Sequence, residues 1–342
     1  MNPIIDLRSD TVTKPSKEMY ESMMHAPLGD DVFAEDPTIN ELQEYAADMF
    51  GMEAALFCPS GTMTNQIAIK VHTQPGDELI CDAYSHIYNY EGGGIAFNSG
   101  VQAKLLHGDR GRLKAAQIES AINPNYDWLT KTSLVCLENT VNRAGGSIYE
   151  INDIQQIKDV CLKHNLSLHL DGARLFNALV ATGHSPAEFG KLFHSISICL
   201  SKGLGAPAGS LLLGNKPFID KARRVRKVLG GGMRQAGILA AAGMYALKNN
   251  VSRLKEDHKN ATMIEAELQR LSYVKKIMPV ESNIIIFDLD ERIKVDVFVH
   301  HLRQNQILCT GFGSQSIRMV THLDAEHHAC AKVCEVLANS RF

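Results

Sequence analysis

The chain is short of several things. Its 342 residues include one tryptophan, and the net charge is only −3. That small charge gives no electrostatic case for nucleic acid or an anionic membrane surface as partner. No apolar run approaches the length of a membrane span. The first residues, Met1-Asn2-Pro3-Ile4-Ile5-Asp6, lack a basic segment leading into an apolar one, so no secretory signal is expected. Internal repeats and low-complexity linkers are missing too. What remains is 45% hydrophobic and 21% charged, ordinary for a soluble globular protein. The length suits one large domain with a smaller one appended.

Eight cysteines are present, several inside apolar runs, as in Leu134-Val135-Cys136-Leu137. They read as buried thiols in a reducing compartment and point to a cytoplasmic protein rather than a disulfide framework. Cys330 and Cys334 have helical spacing, with His327 and His328 nearby, but no second Cys/His pair completes a zinc ligand set. No metal site is expected.

The first part of the chain alternates between strand-like and helix-like segments. Strands are predicted over 53–58, 78–82, 133–137, 166–170 and 195–200. Helices are predicted over 62–71 and 152–164, the latter capped by Asn152. This order argues for an α/β domain with a mostly parallel sheet. After Gly230-Gly231-Gly232, helices are expected over 234–248 and 251–271. A smaller α+β unit follows, with strands over 284–289 and 317–320 and a helix over 295–304. The expected division is a large domain over 1–250 and a small C-terminal one over 251–342.

The chemistry centres on Ser201-Lys202-Gly203-Leu204-Gly205. Lys202 ends a strand-like run with glycines behind it. A lysine there can leave bulk water, lower its pKa and attack a carbonyl, although a lysine in a Gly-rich turn can equally be plainly solvated. Asp171 ends the strand in Leu168-His169-Leu170-Asp171-Gly172 and lies 31 residues before Lys202. That leaves room for a helix between neighbouring strands, so both residues can lie at the carboxyl ends of a sheet. A carboxylate able to hold a pyridinium nitrogen and a lysine able to bond a carbonyl are the minimum a protein needs to use pyridoxal phosphate. Ser60-Gly61-Thr62 opens a helix directly after a strand, where N–H groups and two hydroxyls suit a phosphate. The same residues also serve as an ordinary helix cap.

The chain resembles the threonine aldolases of the low-specificity or L-allo-threonine type. The motifs that carry the resemblance run nearly end to end: Asp6-Leu7-Arg8-Ser9-Asp10-Thr11-Val12-Thr13, Gly29-Asp30-Asp31-Val32-Phe33, Glu35-Asp36-Pro37-Thr38, Pro59-Ser60-Gly61-Thr62, Glu138-Asn139-Thr140, Asp171-Gly172-Ala173-Arg174, Ser201-Lys202-Gly203-Leu204-Gly205, Gly230-Gly231-Gly232-Met233-Arg234-Gln235 and Arg318-Met319-Val320-Thr321-His322. The resemblance implies the aspartate aminotransferase-like fold (fold type I) of pyridoxal-phosphate enzymes. Its large domain would hold a mixed, mostly parallel seven-stranded sheet, and its small domain would be α+β. It also implies retro-aldol cleavage of L-3-hydroxy-amino acids to glycine and an aldehyde.

By the same resemblance, Lys202 would bond the cofactor and Asp171 would face its pyridine nitrogen. His86 would stack on the ring near the substrate hydroxyl, and Gly61 and Thr62 would hold the phosphate. Ser9, Arg174 and Arg318 would bind the substrate carboxylate, with Arg174 also beside the cofactor. Arg234, with Lys227 nearby, would reach a neighbouring subunit's phosphate, in a homo-oligomer with shared sites, a dimer of dimers. Without the resemblance, His86 reads as a core or surface histidine, Arg318 as a strand-edge charge, and most of the 221–227 charges as a solvated helix face. Two positions depart from the family: Val141 stands where Glu-Asn-Thr-His has its histidine, and Trp128 stands where some members place another. Both were expected near the substrate's β-carbon group. Competing readings are a β-eliminating lyase, a glycine hydroxymethyltransferase-like enzyme, or a binding protein that kept the fold without catalysis.

Overall fold

The computed structural model describes residues 4–342. Thirteen strands occur among them: β1 (Ile5–Asp6), β2 (Ala54–Cys58), β3 (Glu78–Asp82), β4 (Gln102–Leu106), β5 (Thr132–Glu138), β6 (Ser167–Gly172), β7 (Ser195–Cys199), β8 (Ser210–Gly214), β9 (Val274–Ile277), β10 (Ile284–Leu289), β11 (Ile307–Leu308), β12 (Thr310–Gly311) and β13 (Ser316–Val320). Seven form one sheet in the order β2-β8-β7-β6-β5-β3-β4. All its pairs are parallel except those of β8, which runs antiparallel to both neighbours. β8 was not expected from the sequence. Its Ser-Leu-Leu-Leu-Gly run is short, continuous and fully buried, so it shows no alternation to read.

Strands β3 and β10 and the Val295–Gln304 helix fall where the sequence places them. The Ile151–Lys163 helix starts earlier than expected. Glu150 occupies its N-cap, so Asn152 lies inside the helix and does not cap it. The long Ala-rich helix is interrupted. An α-helix over Gly237–Tyr245 passes into a π-turn over Ala246–Asn250, and the next helix is Leu254–Leu268. The π-turn aims Asn250, whose Nδ2–H donates to Leu204 O at 2.8 Å. It thereby steadies the loop that carries Lys202.

The large sheet and its helices enclose one core around residues such as Leu137, Leu170, Ile198 and Leu213. A second core, with Ile285, Phe287, Phe298 and Met319, fills the smaller unit over a four-stranded sheet ordered β12-β13-β10-β9. The N-terminal strand β1 pairs with β11 of that smaller unit, and Leu7 packs in its core. The chain then crosses toward the large sheet, which brings Ser9 and Asp10 between the two.

Register sets the chemistry of one sheet face. Glu138, Asp171 and Ser197 are successive partners across β5, β6 and β7. Two residues earlier, Cys136, His169 and Ser195 form a parallel row. Alternation puts both rows on one face. The Gly61–His72 helix covers that face, and Thr64 Oγ1 lies 2.6 Å from Ser197 Oγ. The intervening residues Leu168 and Leu170 turn into the main core.

Candidate active site

Asp171 is 3% exposed at the end of β6. Its Oδ1 accepts from Ala173 N–H at 3.1 Å and its Oδ2 from Asn65 Nδ2–H at 2.9 Å. Gly172 follows because a Cβ there would lie 2.7 Å from Ser197 O on β7. Asn65 also donates to Glu91 Oε1 at 2.9 Å, while its Oδ1 faces His169 Nε2 at 3.1 Å. An amide oxygen only accepts, so His169 carries its proton on Nε2 and its Nδ1 accepts from Ser195 Oγ at 2.8 Å. Ser195 Oγ in turn accepts from His72 Nε2 at 2.8 Å. Burial pushes the His169 imidazole down to about 4, against the pull of the Asp171 charge. Burial takes His72 to about 3. The row is a chain of neutral groups that Asn65 anchors on two carboxylates, Asp171 and Glu91.

His86 begins the short His86–Asn89 helix, and its ring meets Glu91. His86 Nδ1 lies 3.0 Å from Glu91 Oε1, and Gln66 Nε2–H donates to Glu91 Oε2 at 2.6 Å. Burial works against the charged imidazole. The Glu91 hydrogen bond and the charges of Asp171, Glu91 and Glu138 outweigh it, so the pKa of His86 is raised. Glu138 ties two turns together. Its Oε2 accepts from His86 N–H at 2.7 Å and its Oε1 from Asn142 N–H at 2.8 Å. Burial, then the neighbouring Asp171 charge, pushes the Glu138 carboxyl up to about 7.

The two arginines converge. Arg174 grips Asp10 with two parallel bonds, Nε to Oδ2 at 2.8 Å and Nη2 to Oδ1 at 2.6 Å. Both residues are buried. Burial opposes the Asp10 charge, but the charge and hydrogen bonds of Arg174, with Lys202 and Arg318 nearby, hold its carboxyl well below the usual range. Arg318, on β13, donates from Nη1 to Arg8 O at 3.2 Å, and its buried Nε has no partner. Burial, then the Arg174 charge, lowers Arg318 to about 10. Both guanidinium groups donate to Asn142 Oδ1, Arg174 Nη1 at 3.2 Å and Arg318 Nη2 at 2.8 Å. Ser9 lies alongside, its hydroxyl 3.5 Å from Asp10 Oδ1.

Lys202 lies three residues past the end of β7, in a turn closed by Gly205 N–H to Lys202 O at 2.8 Å. Gly205 adopts φ +81°, a conformation glycine takes without strain. Thr13 Oγ1 donates to Lys202 O at 2.9 Å, so the N-terminal segment holds the same turn. At the start of the Gly61–His72 helix, Ser60 Oγ accepts from Met63 N–H at 3.2 Å. The serine therefore does cap the helix, and the N–H groups of Gly61 and Thr62 remain for an anion. The glycine-rich loop lies beside this turn, because a Cβ on Gly231 would meet the Met63 side chain. Beyond it Arg234 is exposed and pairs with Asp30 at 2.6 Å, and Lys227 is exposed on the preceding helix.

The structure corrects one expectation and shows the surroundings of two further residues. Val141 does not line the site: it is 1% exposed, in the main core against Gly111. Trp128 is 75% exposed and stacks on Tyr126, in the stretch before β5. Among the 221–227 charges Arg226 is the buried one, 3% exposed with its Nη2 2.5 Å from Asp31 Oδ2. Sequence reasoning gave no role to Asn65, Glu91, Glu138, Asp10 or Asn142. Asp10 and Glu138 stood within quoted motifs. Asn65 had a weaker signal, a polar side chain on a helix face that must cover a sheet.

This donor set fits pyridoxal phosphate. A buried carboxylate held by N–H donors suits a pyridinium, an imidazole lies at hydrogen-bond range of the same cluster, free helix N–H groups suit a phosphate, and a lysine lies in the turn after the adjacent strand. Fold and site together define a pyridoxal-phosphate-dependent lyase of fold type I. A family model for beta-eliminating lyases matches residues 6–292. The low specificity L-threonine aldolase of Escherichia coli O157:H7 is 43% identical over 331 residues, covering 96% of this chain and 97% of that one. Low-specificity L-threonine aldolase 1 of Arabidopsis thaliana is 41% identical over 325 residues, covering 93% and 91%. The solved threonine aldolase of Leishmania major superposes with a TM-score of 0.85 at 22% identity, covering 97% and 98%. The chain belongs to the beta-eliminating lyase family, within its low-specificity L-threonine aldolase branch.

Proposed function

We propose that the protein cleaves L-threonine, L-allo-threonine and related L-3-hydroxy-amino acids to glycine and an aldehyde, acetaldehyde for threonine. Bound pyridoxal phosphate supplies the electron sink for the Cα carbanion. Lys202 is the amine that holds the cofactor's carbonyl carbon. Asp171, held by the Asn65 and Ala173 N–H donors, serves the pyridine nitrogen. Gly61 and Thr62, with Ser60 alongside, seat the phosphate.

The substrate carboxylate binds Arg318, with Ser9 and Arg174 beside it. The unpartnered Nε of Arg318 supports that role, and most of the Arg174 donor edge is already committed to Asp10. A fixed carboxylate limits rotation about the Cα–N bond and so decides which Cα bond aligns for cleavage. His86 Nδ1–H donates to Glu91, which leaves Nε2 to take the β-hydroxyl proton. The surrounding carboxylates favour the imidazolium that results. One observation carries the reading: ligand atoms of Asp171, Glu91 and His86 cluster within 4.8 Å of one another.

The enzyme works as a homotetramer, with Arg234 and Lys227 serving a neighbour's phosphate. Exposed apolar side chains support a subunit contact, among them Val228 at 84%, Met24 at 78% and Phe33 at 69%. Eight free thiols, seven of them buried, fit a cytoplasmic location and a metabolic role in forming glycine from threonine. No helix among the described residues is long and apolar enough to cross a membrane. The test is an aldehyde-coupled assay with L-threonine, L-allo-threonine and phenylserine, on wild type and His86→Ala. The variant should keep cofactor absorbance and lose about 10²–10⁴-fold in kcat. An unchanged kcat removes His86 from the role of base.

A further inference from the structure

Arg174 is paired with Asp10, while Arg318, which shares Asn142 with Arg174, has no ion-pair partner of its own among the described residues. Like charges this close repel, and Arg318 is driven down to about 10 partly by its neighbour. The group between them is neutral. Asn142 Oδ1 accepts from both, at 3.2 Å and 2.8 Å. The amide cannot be turned round, because its NH₂ would then face two donors.

Nor can Asn142 drift. Its N–H is fixed on Glu138 Oε1 at 2.8 Å, and Val141 before it is locked in the core and bridged to Ser147. Arg318 meanwhile keeps a buried Nε unpartnered, next to the Nη2 that Asn142 occupies. An incoming carboxylate can bind that Nε and share the Nη groups. It completes a fork that the amide oxygen half-fills.

We propose that Asn142 is a positioning residue that sets the enzyme's demand for a substrate carboxylate. It holds the arginine pair in place without neutralising it, so the subsite keeps one uncompensated positive charge for the ligand. This rests on the reading of Arg318 as the carboxylate-binding residue. An aspartate at 142 would pair with both guanidinium groups itself and leave the ligand nothing to neutralise. An alanine would leave them splayed by mutual repulsion.

The test compares two probes that differ only in the carboxylate, glycine and methylamine, titrated into the holoenzyme and followed by cofactor absorbance. Wild type should bind glycine far more tightly. In Asn142→Asp that preference should fall by on the order of 10-fold or more, with KM for L-threonine rising by a similar factor and kcat changing less. Asn142→Ala adds no charge and should lower the preference by about 3-fold or more. It keeps the test open if the aspartate variant folds poorly. Variants that retain the wild-type preference within about 2-fold overturn the role of Asn142 and leave the clamp standing. A wild type with no preference for glycine overturns the arginine clamp itself, and this inference with it.

Discussion

The side-chain amide of Asn65 donates to the carboxylate of Asp171 at 2.9 Å. The same amide nitrogen donates to Glu91, so one residue steadies both the Asp171 carboxylate and the group that orients His86. Asn65→Leu keeps the volume and removes the donors. It leaves two buried carboxylates each one hydrogen bond short, at about 1–3 kcal/mol apiece. The expected result is a folded protein whose affinity for pyridoxal phosphate drops by about 10-fold or more, read by equilibrium titration of the apoprotein. Wild-type affinity in the variant would remove Asn65 from this role.

Asp10 belongs to the N-terminal segment yet compensates Arg174 inside the large unit. Asp10→Asn leaves a buried guanidinium without its charge partner, which typically costs about 3–5 kcal/mol. The sign with pH is fixed by the depressed carboxyl. Its contribution is complete above the ordinary value of 3.8 and is lost as pH falls through the lower folded value. Urea denaturation should therefore show a full gap between wild type and variant at neutral pH. That gap should close only under strongly acidic conditions. A gap that is the same at pH 7 and under strong acid would contradict this.

Glu138 behaves in the opposite sense. Its folded value is raised from 4.5 to about 7, so the folded state holds a proton that the unfolded state has released. Its stabilising contribution is full below 4.5 and is lost as pH rises to about 7. In Glu138→Gln that dependence disappears, and one of the two backbone N–H groups faces an NH₂ instead of an oxygen. In denaturation midpoints, wild type should lose stability relative to the variant steadily as pH rises from 4.5 to about 7, with the offset between the two constant outside that window. Parallel curves would mean that Glu138 titrates normally.

Much of this was legible in the sequence. Strands with clean apolar runs between turn residues, such as β3 and β10, fall where expected, as does the pairing of the Asp171 and Lys202 strands. The supporting residues were harder to see, because their roles depend on register and on segments distant in the chain. Glu138 matters because β5 sets it opposite Asp171, and Asp10 because β1 joins the smaller unit before the chain crosses back. Val141 was expected at the site from its place in a motif. Local packing against Gly111 turned its side chain into the core and gave the next residue, Asn142, to the arginines.

The most direct test of the central claim is product analysis of L-threonine turnover by the holoenzyme, with Lys202→Ala alongside. Glycine and acetaldehyde in equal amounts, both lost with the cofactor's absorbance in Lys202→Ala, is the predicted result. Ammonia and 2-oxobutanoate in place of glycine would mean that the site breaks the Cβ–O bond rather than Cα–Cβ, and would contradict the account.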